Sequence, residues 1–245
     1  MEQVKWHKSD STDSTNTYLK GLNGGDPAFR YEVAVTGFQT AGHGQKGNSW
    51  ESEAGKNLLF SILAHPLEVR VQEQFFISES IALAVTDSVT AATGELFSVK
   101  WPNDIYWRDR KLAGILIENT LQGSRILDSI TGVGLNVNQT VFMSDAPNPV
   151  SLKNITGCDY DRDVLLEDIV SRFIGLMASD RRQVHERYYS CLYRREGLHA
   201  FRDAQGRFMA SIDHVEGNGC LVLKTGAGEY RTYEFKQVAF ILDEK

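Results

Sequence analysis

The stretch KWPNDIYWRDRKLAGILIENT, residues 100–120, decides the fold class. Its proline disfavours helical backbone at the preceding residue, so Trp101 is predicted to be extended and to end a strand. Residues 112–117 contain no polar side chain, and a strand with two apolar faces is typical of the centre of a sheet. Gly114 within this strand predicts that another group approaches the backbone closely.

The neighbouring segments predict the rest of a sheet. FSVKW (97–101) and RILDSITGVGLNVN (125–138) form, with residues 111–120, three consecutive strand candidates with short connections. Such an order favours an antiparallel meander over parallel βαβ crossovers. Upstream, YEVAVTGF (31–38) and NLLFSILA (57–64) predict two further strands.

Apolar residues at helical spacing predict four helices. The predicted helices cover residues 14–22, 71–93, 161–177 and about 180–195, with Ser14, Thr15 or Asn16 capping the first and Asp161 the third. Residues 143–159 are polar, contain two prolines and are predicted to be a loop that orders on binding.

From His199 onward, glycine-containing turns recur about every ten residues, as expected of a small β-sheet domain or barrel. We therefore predict an α+β fold, in which a mixed or antiparallel sheet is flanked by helices and followed by a small β domain. The predicted domains are residues 1–196 and 197–245.

Composition narrows the function classes. The 245 residues carry a net charge of −6 and no long block of lysine and arginine, which argues against nucleic acid as the main partner. The amino terminus is polar, and no apolar run approaches the length of a membrane span, so neither export nor membrane insertion is expected. Three widely spaced cysteines are more typical of free thiols in a reducing compartment than of disulfides, which predicts a cytoplasmic protein.

The glycine-rich segment GHGQKG, residues 42–47, is suited to an anion. Its glycines bring backbone N–H groups close to a ligand, Lys46 adds charge, and His43 and Gln45 add donors. It matches neither a Walker loop nor a dinucleotide fingerprint. Taken alone, an ordinary surface turn explains it better than a phosphate site does.

The turn before the central strand offers a second candidate. Asp104 could hold a hydrated Mg²⁺ and Asn103 a phosphate oxygen, although an Asx turn that closes a hairpin explains the same pair. Lys111, at the start of the strand, is either a solvated surface lysine or a cation held beside a ligand.

Taken together, six ordered motifs resemble those of the biotin–protein ligases. The motifs are DSTN (13–16), QTAGHGQKGNSW (39–50), GKNLLFSI (55–62), KWPNDI (100–105), KLAGILIE (111–118) and GVGLNVN (132–138). The resemblance implies a catalytic domain similar to that of the class II synthetases and, with weaker support, an SH3-like carboxy-terminal barrel.

The resemblance also implies a reaction and its site residues. Biotin would be joined to AMP from MgATP, and a lysine of an acceptor protein would attack the mixed anhydride. The implied catalytic residues are Lys111, Asp104 and Lys46, with Asp104 facing Mg²⁺. The implied biotin-binding residues are Ser14, Thr15, Gln39, Gly42, His43, Trp50, Lys111, Gly114 and Leu116. The implied ATP-binding residues are His43, Gln45, Lys46, Asn103, Asp104, Lys111 and Asn136.

Some positions depart from the family pattern. His43, Gln45 and Asn48 stand where arginine is common, so charge neutralisation is expected to depend on Lys46, Lys111 and Mg²⁺. Where the family has an aromatic residue that stacks on adenine, the chain has Pro149 and Val150.

The partners follow from the same resemblance. The expected acceptor is a biotin carboxyl carrier domain, and the protein is expected to be a monomer or weak homodimer. Only twelve residues precede DSTN, so we expect a ligase without the DNA-binding domain that some members carry.

Two other functions stay open. A lipoate–protein ligase would perform the same two steps on a different acid, but its dithiolane ring could not use the polar side chains of Ser14, Thr15 and Gln39. A non-catalytic biotin sensor or adaptor would have no need of MgATP.

Overall fold

The computed structural model describes residues 4–44, 49–65, 69–144 and 148–242. An eight-stranded sheet runs in the order β1-β2-β3-β8-β7-β6-β5, with β4 paired to β8. Its strands are β1 (Val4–Ser9), β2 (Tyr31–Thr36), β3 (Leu58–Ala64), β4 (Val69–Arg70), β5 (Ser98–Lys100), β6 (Asp104–Trp107), β7 (Arg110–Gln122) and β8 (Arg125–Leu135).

The pairing makes this a mixed sheet, as predicted. Strands β1 and β2, at one edge, pair in parallel. The remaining neighbours pair antiparallel, in the order β2-β3-β8-β7-β6-β5. The meander prediction is confirmed, but it contained too few strands. The short strand β6 lies where a simple turn was expected, because four residues within a polar stretch leave little periodicity to detect. Strand β1 was not predicted either.

Helices cover both faces of the sheet. They are α1 (Thr15–Lys20), α2 (Phe75–Thr93), α3 (Leu152–Thr156), α4 (Arg162–Met177) and α5 (Arg181–Ser190), with a 3₁₀ turn at Val71–Glu73. Helices α2, α4 and α5 share the main core with one face of the sheet, whereas Leu19 of α1 packs with Ala34, Leu63 and Ile130 on the other face. Successive strand residues point to opposite faces, which separates these two cores.

Two helix predictions need correction. Helix α5 ends at Ser190, not near residue 195. The predicted loop at 143–159 contains the short helix α3, which begins at a capping box formed by Ser151 and Asn154. Such a cap stabilises a single helical turn that the surrounding prolines hide in the sequence pattern.

One helical segment, Val71–Thr93, is long and apolar enough to cross a membrane by length and composition. In this fold 72% of its most apolar window is buried inside the protein, as in the core helix of a soluble protein. The expectation that no segment would reach this length was therefore wrong, while the burial accounts for the apolar character.

A second, five-stranded antiparallel sheet follows, in the order β12-β11-β10-β9-β13. It comprises β9 (His199–Asp203), β10 (Gly206–Val215), β11 (Leu221–Thr225), β12 (Tyr230–Tyr233) and β13 (Ala239–Phe240). The indole N–H of Trp101 donates to the carbonyl of Gly219 at 2.9 Å, and its ring packs edge-on against Phe235. A small β domain is thus present; the boundary at residue 197 and the SH3-like topology stay predictions.

Candidate functional site

Three glycines form the floor of a cavity on the α1 face of the sheet. Gly114 of β7 lies opposite Gly134 of β8. A Cβ atom at Gly134 would lie 2.4 Å from the ring of Trp50, and one at Gly132 would lie 2.2 Å from Asn16 Oδ1. Such distances are closer than atoms can approach, so only glycine leaves space for these two side chains.

The amino-terminal end of α1 forms the polar end of the cavity. Ser14 and Thr15 are almost fully buried there, and the Ser14 hydroxyl does not cap the helix. The backbone N–H of Thr15 donates to Gln39 Oε1 at 2.8 Å. This bond orients the Gln39 amide, so its NH₂ group faces away from Thr15. The NH₂ nitrogen lies beside Gly42, where a Cβ atom built on Gly42 would be 2.9 Å from it.

Behind this polar end lies a buried hydrogen-bond network. Asn16 Nδ2 donates to Glu118 Oε2 at 2.9 Å, and the Ser61 hydroxyl oxygen lies 2.6 Å from both Asn16 Oδ1 and Thr15 Oγ1. Neither Asn16 nor Ser61 was predicted as a site residue. The DSTN motif did include Asn16, but its role depends on Glu118, a hundred residues away in sequence.

An ion pair forms the opposite, charged end. Lys111 Nζ lies 2.7 Å from Asp104 Oδ1 and 5.6 Å from the centre of the Trp50 ring. The side chains of Lys111 and Asp104 are 31% and 19% exposed, so the ammonium group lies in the cavity and not in bulk solvent. Each of these two charges therefore already has a partner of opposite sign.

A β-bulge places Lys111 on the same face as the glycine floor. In a regular strand, residues 111 and 114 would point to opposite faces, because side chains alternate. The pairing of β6 with β7 shifts between Ile105 and Tyr106, so the register skips one residue of β7. As a result, a Cβ at Gly114 would lie 3.4 Å from Lys111 Nζ. Bulges commonly re-aim a side chain in this way.

Most predicted site residues meet at this cavity, which encloses about 180 Å³. Those that line it are Ser14, Thr15, Gln39, His43, Trp50, Asn103, Asp104, Lys111, Gly114 and Leu116. Lining residues that the sequence did not single out include Asn16, Ser49, Phe60, Gly132, Gly134 and Lys236. Lys236 belongs to the carboxy-terminal segment, and no local pattern in its sequence links it to the site.

Some predicted residues lie elsewhere. Gln45, Lys46 and Asn48 are outside the described residues. Asn136 does not line the cavity: it is buried, and its amide donates to the carbonyl of Val150 at 3.2 Å. Asn103 lines the cavity, but its amide donates to the carbonyl of Ile115 at 2.6 Å.

Two anchors hold residues 143–144 and residue 148 beside the cavity. The Glu51 carboxylate accepts bonds from the backbone N–H groups of Met143 and Ser144, both at 2.7 Å. Burial opposes ionisation of Glu51, but these hydrogen bonds outweigh it and lower the pKa. At the other anchor, Lys111 N–H donates to the Asn148 carbonyl at 2.8 Å. Residues 143–144 are thus tied to the residue that follows Trp50, and residue 148 is tied to the strand of Lys111.

Within the described residues, no group of three or more His, Cys, Asp or Glu side chains is placed to hold a metal ion. Asp104 is the acidic side chain among the described lining residues. One carboxylate suits a Mg²⁺ ion that arrives with nucleotide phosphates and keeps several waters, and not a permanently bound metal.

A family model described as the biotin/lipoate A/B protein ligase family matches residues 9–136, slightly more than half of the chain. The chain belongs to this family. The matched residues include α1, the glycine floor and the Lys111–Asp104 pair.

Individual members of the ligase family are also similar. The biotin–[acetyl-CoA-carboxylase] ligase of Mycobacterium tuberculosis is 34% identical over 183 residues, which cover 69% of this chain and 65% of that protein. The bifunctional ligase/repressor BirA of Bacillus subtilis is 27% identical over 210 residues, 82% of this chain and 64% of that protein. The chain therefore spans somewhat less than two thirds of these curated relatives.

A solved structure extends the likeness to the whole chain. The biotin protein ligase from Aquifex aeolicus, in complex with biotin and ATP, has a TM-score of 0.78 and 24% identity, and the match covers 99% of this chain and 100% of that one. This likeness shows that both sheets, including the carboxy-terminal one, belong to a shared fold.

Proposed function

We propose that the protein is a biotin–protein ligase, which converts biotin and MgATP into biotinyl-5'-AMP and transfers the biotinyl group to a lysine of a biotin carboxyl carrier protein. The observation that carries the proposal is one cavity with a polar end, a glycine floor under Trp50, and the Lys111–Asp104 ion pair. Membership of the ligase family and the names of its relatives support the same activity.

The polar end suits the ureido ring of biotin. Ser14, Thr15 and Gln39 offer hydroxyl and amide groups that a ring N–H and carbonyl can use. The dithiolane ring of lipoate has no comparable donors, so this end of the cavity favours biotin. Trp50, Gly114 and Leu116 would enclose the apolar part of the bicycle, with Gly42 and the backbone of His43 nearby.

The charged end suits the coupling step. In that step a carboxylate oxygen of biotin attacks the α-phosphorus of ATP, and the bond to pyrophosphate breaks. Lys111 would neutralise the two approaching anions, and a preorganised cation of this kind stabilises the transition state. Asp104 would hold the Mg²⁺ that enters with ATP, while Asn103, His43, Gln45, Lys46 and Asn136 stay predicted nucleotide contacts.

In the second step the acceptor lysine amine attacks the acyl carbon, and AMP leaves. The anhydride must be shielded from water between the steps. We assign this shielding to the glycine-rich loop and residues 140–156; Glu51, which directly follows Trp50, accepts bonds from Met143 and Ser144. The same proposal includes the carrier-protein acceptor and a cytoplasmic location. It also includes the domains 1–196 and 197–245, and a monomer or weak homodimer that binds neither nucleic acid nor membranes.

Intact-mass measurement tests the function. A biotin carboxyl carrier domain is incubated with the protein, biotin and MgATP, and its mass is expected to rise by one biotinyl group. A parallel reaction with lipoate is expected to leave the mass unchanged. An acceptor that is modified by a known ligase but not by this protein contradicts the proposal.

A further inference from the structure

Glu118 lies behind the cavity wall and touches the cavity only through other side chains. It is on β7, two residues beyond Leu116, and its Oε2 accepts a hydrogen bond from Asn16 Nδ2 at 2.9 Å. Its other oxygen lies 3.4 Å from the exposed Lys20 ammonium group. None of the roles assigned above involves Glu118, although its partner Asn16 is 3% exposed and lines the cavity beside Thr15.

The carboxylate fixes which way the Asn16 amide points. An ionised carboxylate only accepts hydrogen bonds, so Asn16 must turn its NH₂ group to Glu118. The same group also lies 3.4 Å from the carbonyl of Leu116, a second acceptor. Asn16 Oδ1 therefore faces the other way, where it lies 2.6 Å from the Ser61 hydroxyl oxygen.

The direction of the remaining bonds follows from counting protons. Asn16 Oδ1 cannot donate, so the single hydroxyl proton of Ser61 goes to Asn16. The 2.6 Å contact between Ser61 and Thr15 is then made by the Thr15 proton. Gln39 Oε1 also lies 3.1 Å from Thr15 Oγ1, but it already accepts from the Thr15 backbone N–H at 2.8 Å, and the contact with Ser61 is the shorter of the two that compete for the Thr15 proton.

This order leaves a defined pattern at the cavity surface. With its proton turned to Ser61, Thr15 Oγ1 can only accept a hydrogen bond from a ligand. With its oxygen held by Thr15 N–H, Gln39 can only donate through Nε2. Thr15 thus offers an acceptor and Gln39 a donor, which match a ligand that presents an N–H group and a carbonyl side by side.

We propose that Glu118 is a specificity-determining positioning residue, which acts through Asn16 and Ser61 to keep Thr15 Oγ1 a hydrogen-bond acceptor for one N–H of the ureido ring. The inference deepens the proposed function and rests on it. A glutamine at position 118 could donate as well as accept, so Asn16 could reverse and the Thr15 proton could turn into the cavity.

The test compares ligands that differ in one ring atom. Calorimetry measures the affinity of biotin and of the two biotin analogues in which one ring N–H is replaced by oxygen. For the wild type, one analogue is expected to bind about a hundredfold more weakly than biotin, because its oxygen faces the Thr15 lone pair. In Glu118→Gln this ratio is expected to fall to about tenfold, because Thr15 can then donate to the ring oxygen.

Two further variants make the test decisive. Lys20→Ala removes the other partner of Glu118 and is expected to keep the wild-type ratio, whereas Ser61→Ala interrupts the relay and is expected to lower the ratio as Glu118→Gln does. If Glu118→Gln does not fold, Ser61→Ala decides alone. Folded Ser61→Ala or Glu118→Gln protein with the wild-type ratio overturns the inference, while a wild type that binds no biotin overturns the proposed function as well.

Discussion

At the scale of single residues, the Lys111–Asp104 pair sets the electrostatics of the site. The 2.7 Å contact fixes the ammonium group where it faces Trp50 and Gly114. In the proposed reaction, the carboxylate of biotin would meet a cation whose position is already determined. Such preorganisation lowers the reorganisation needed during the reaction.

Removal of this cation should abolish most of the first step. Lys111→Ala is expected to lower the rate of biotin-dependent pyrophosphate release by about 10²–10³-fold, the usual cost of one preorganised stabilising group. Lys8→Ala, which removes an exposed lysine paired with Asp163, is the matched control. Wild-type pyrophosphate release by a folded Lys111→Ala protein would show that the role of Lys111 is wrong.

The glycine floor allows a steric prediction. Gly134→Ala places a methyl group 2.4 Å from the Trp50 ring, so the indole must move and the slot closes or distorts. Biotin affinity, measured by calorimetry, is expected to fall more than about tenfold.

A second glycine provides the control for this substitution. Gly175 lies in α4, and a Cβ there has no heavy atom within 4 Å. Gly175→Ala is expected to leave biotin affinity unchanged and to stabilise the fold by about 0.5–1 kcal/mol. Equal biotin affinity in both alanine variants would argue against the slot under Trp50.

At the scale of elements, the Glu51 anchor connects two loops that are far apart in sequence. In Glu51→Ala the N–H groups of Met143 and Ser144 lose their acceptor, so hydrogen exchange over residues 141–144 is expected to accelerate. The biotinyl-adenylate is also expected to escape faster, as measured by its hydrolysis without acceptor. Glu53→Ala, which changes an exposed neighbouring residue, is the control. Unchanged hydrogen exchange in Glu51→Ala would show that Glu51 does not hold residues 143 and 144 in place.

Helices α2 and α5 are joined by a pH-dependent contact. Nδ1 of His185 lies 2.6 Å from the carboxylate of the buried Glu79, and this hydrogen bond raises the pKa of His185. Because the pKa of His185 is higher in the folded state than in the unfolded state, protonation of His185 stabilises the fold. This contribution is fully present below a pH of about 6.5, the ordinary histidine pKa, and is lost as the pH rises through the pKa of the folded state.

A variant without the imidazole tests the direction of this pH dependence. His185→Gln is expected to be less stable than the wild type near pH 6, and the difference in unfolding free energy is expected to shrink toward pH 9. Urea denaturation at several pH values measures it. A difference that grows with pH would contradict the contact.

At the scale of the whole molecule, the sequence could predict those structural features that depend on residues close together in the chain. Periodicity and turns indicated the meander, the long helices and a carboxy-terminal β domain. The bulge that turns Lys111 into the cavity has no sequence signature, because it depends on how β6 pairs with β7. Likewise, Asn16 and Lys236 become site residues only through contacts with distant segments.

The Trp101 contact gives the two sheets a common point of attachment. Its indole holds the second sheet at Gly219, and three residues later the same short turn carries Asp104 into the cavity. The sheets also meet where Phe75 packs against Phe235 and where Arg194 donates to the carbonyl of Ile241, but the bend at residues 101–104 connects the second sheet directly to the cavity. Displacement of the second sheet at Gly219 would therefore also disturb the position of the Asp104 carboxylate.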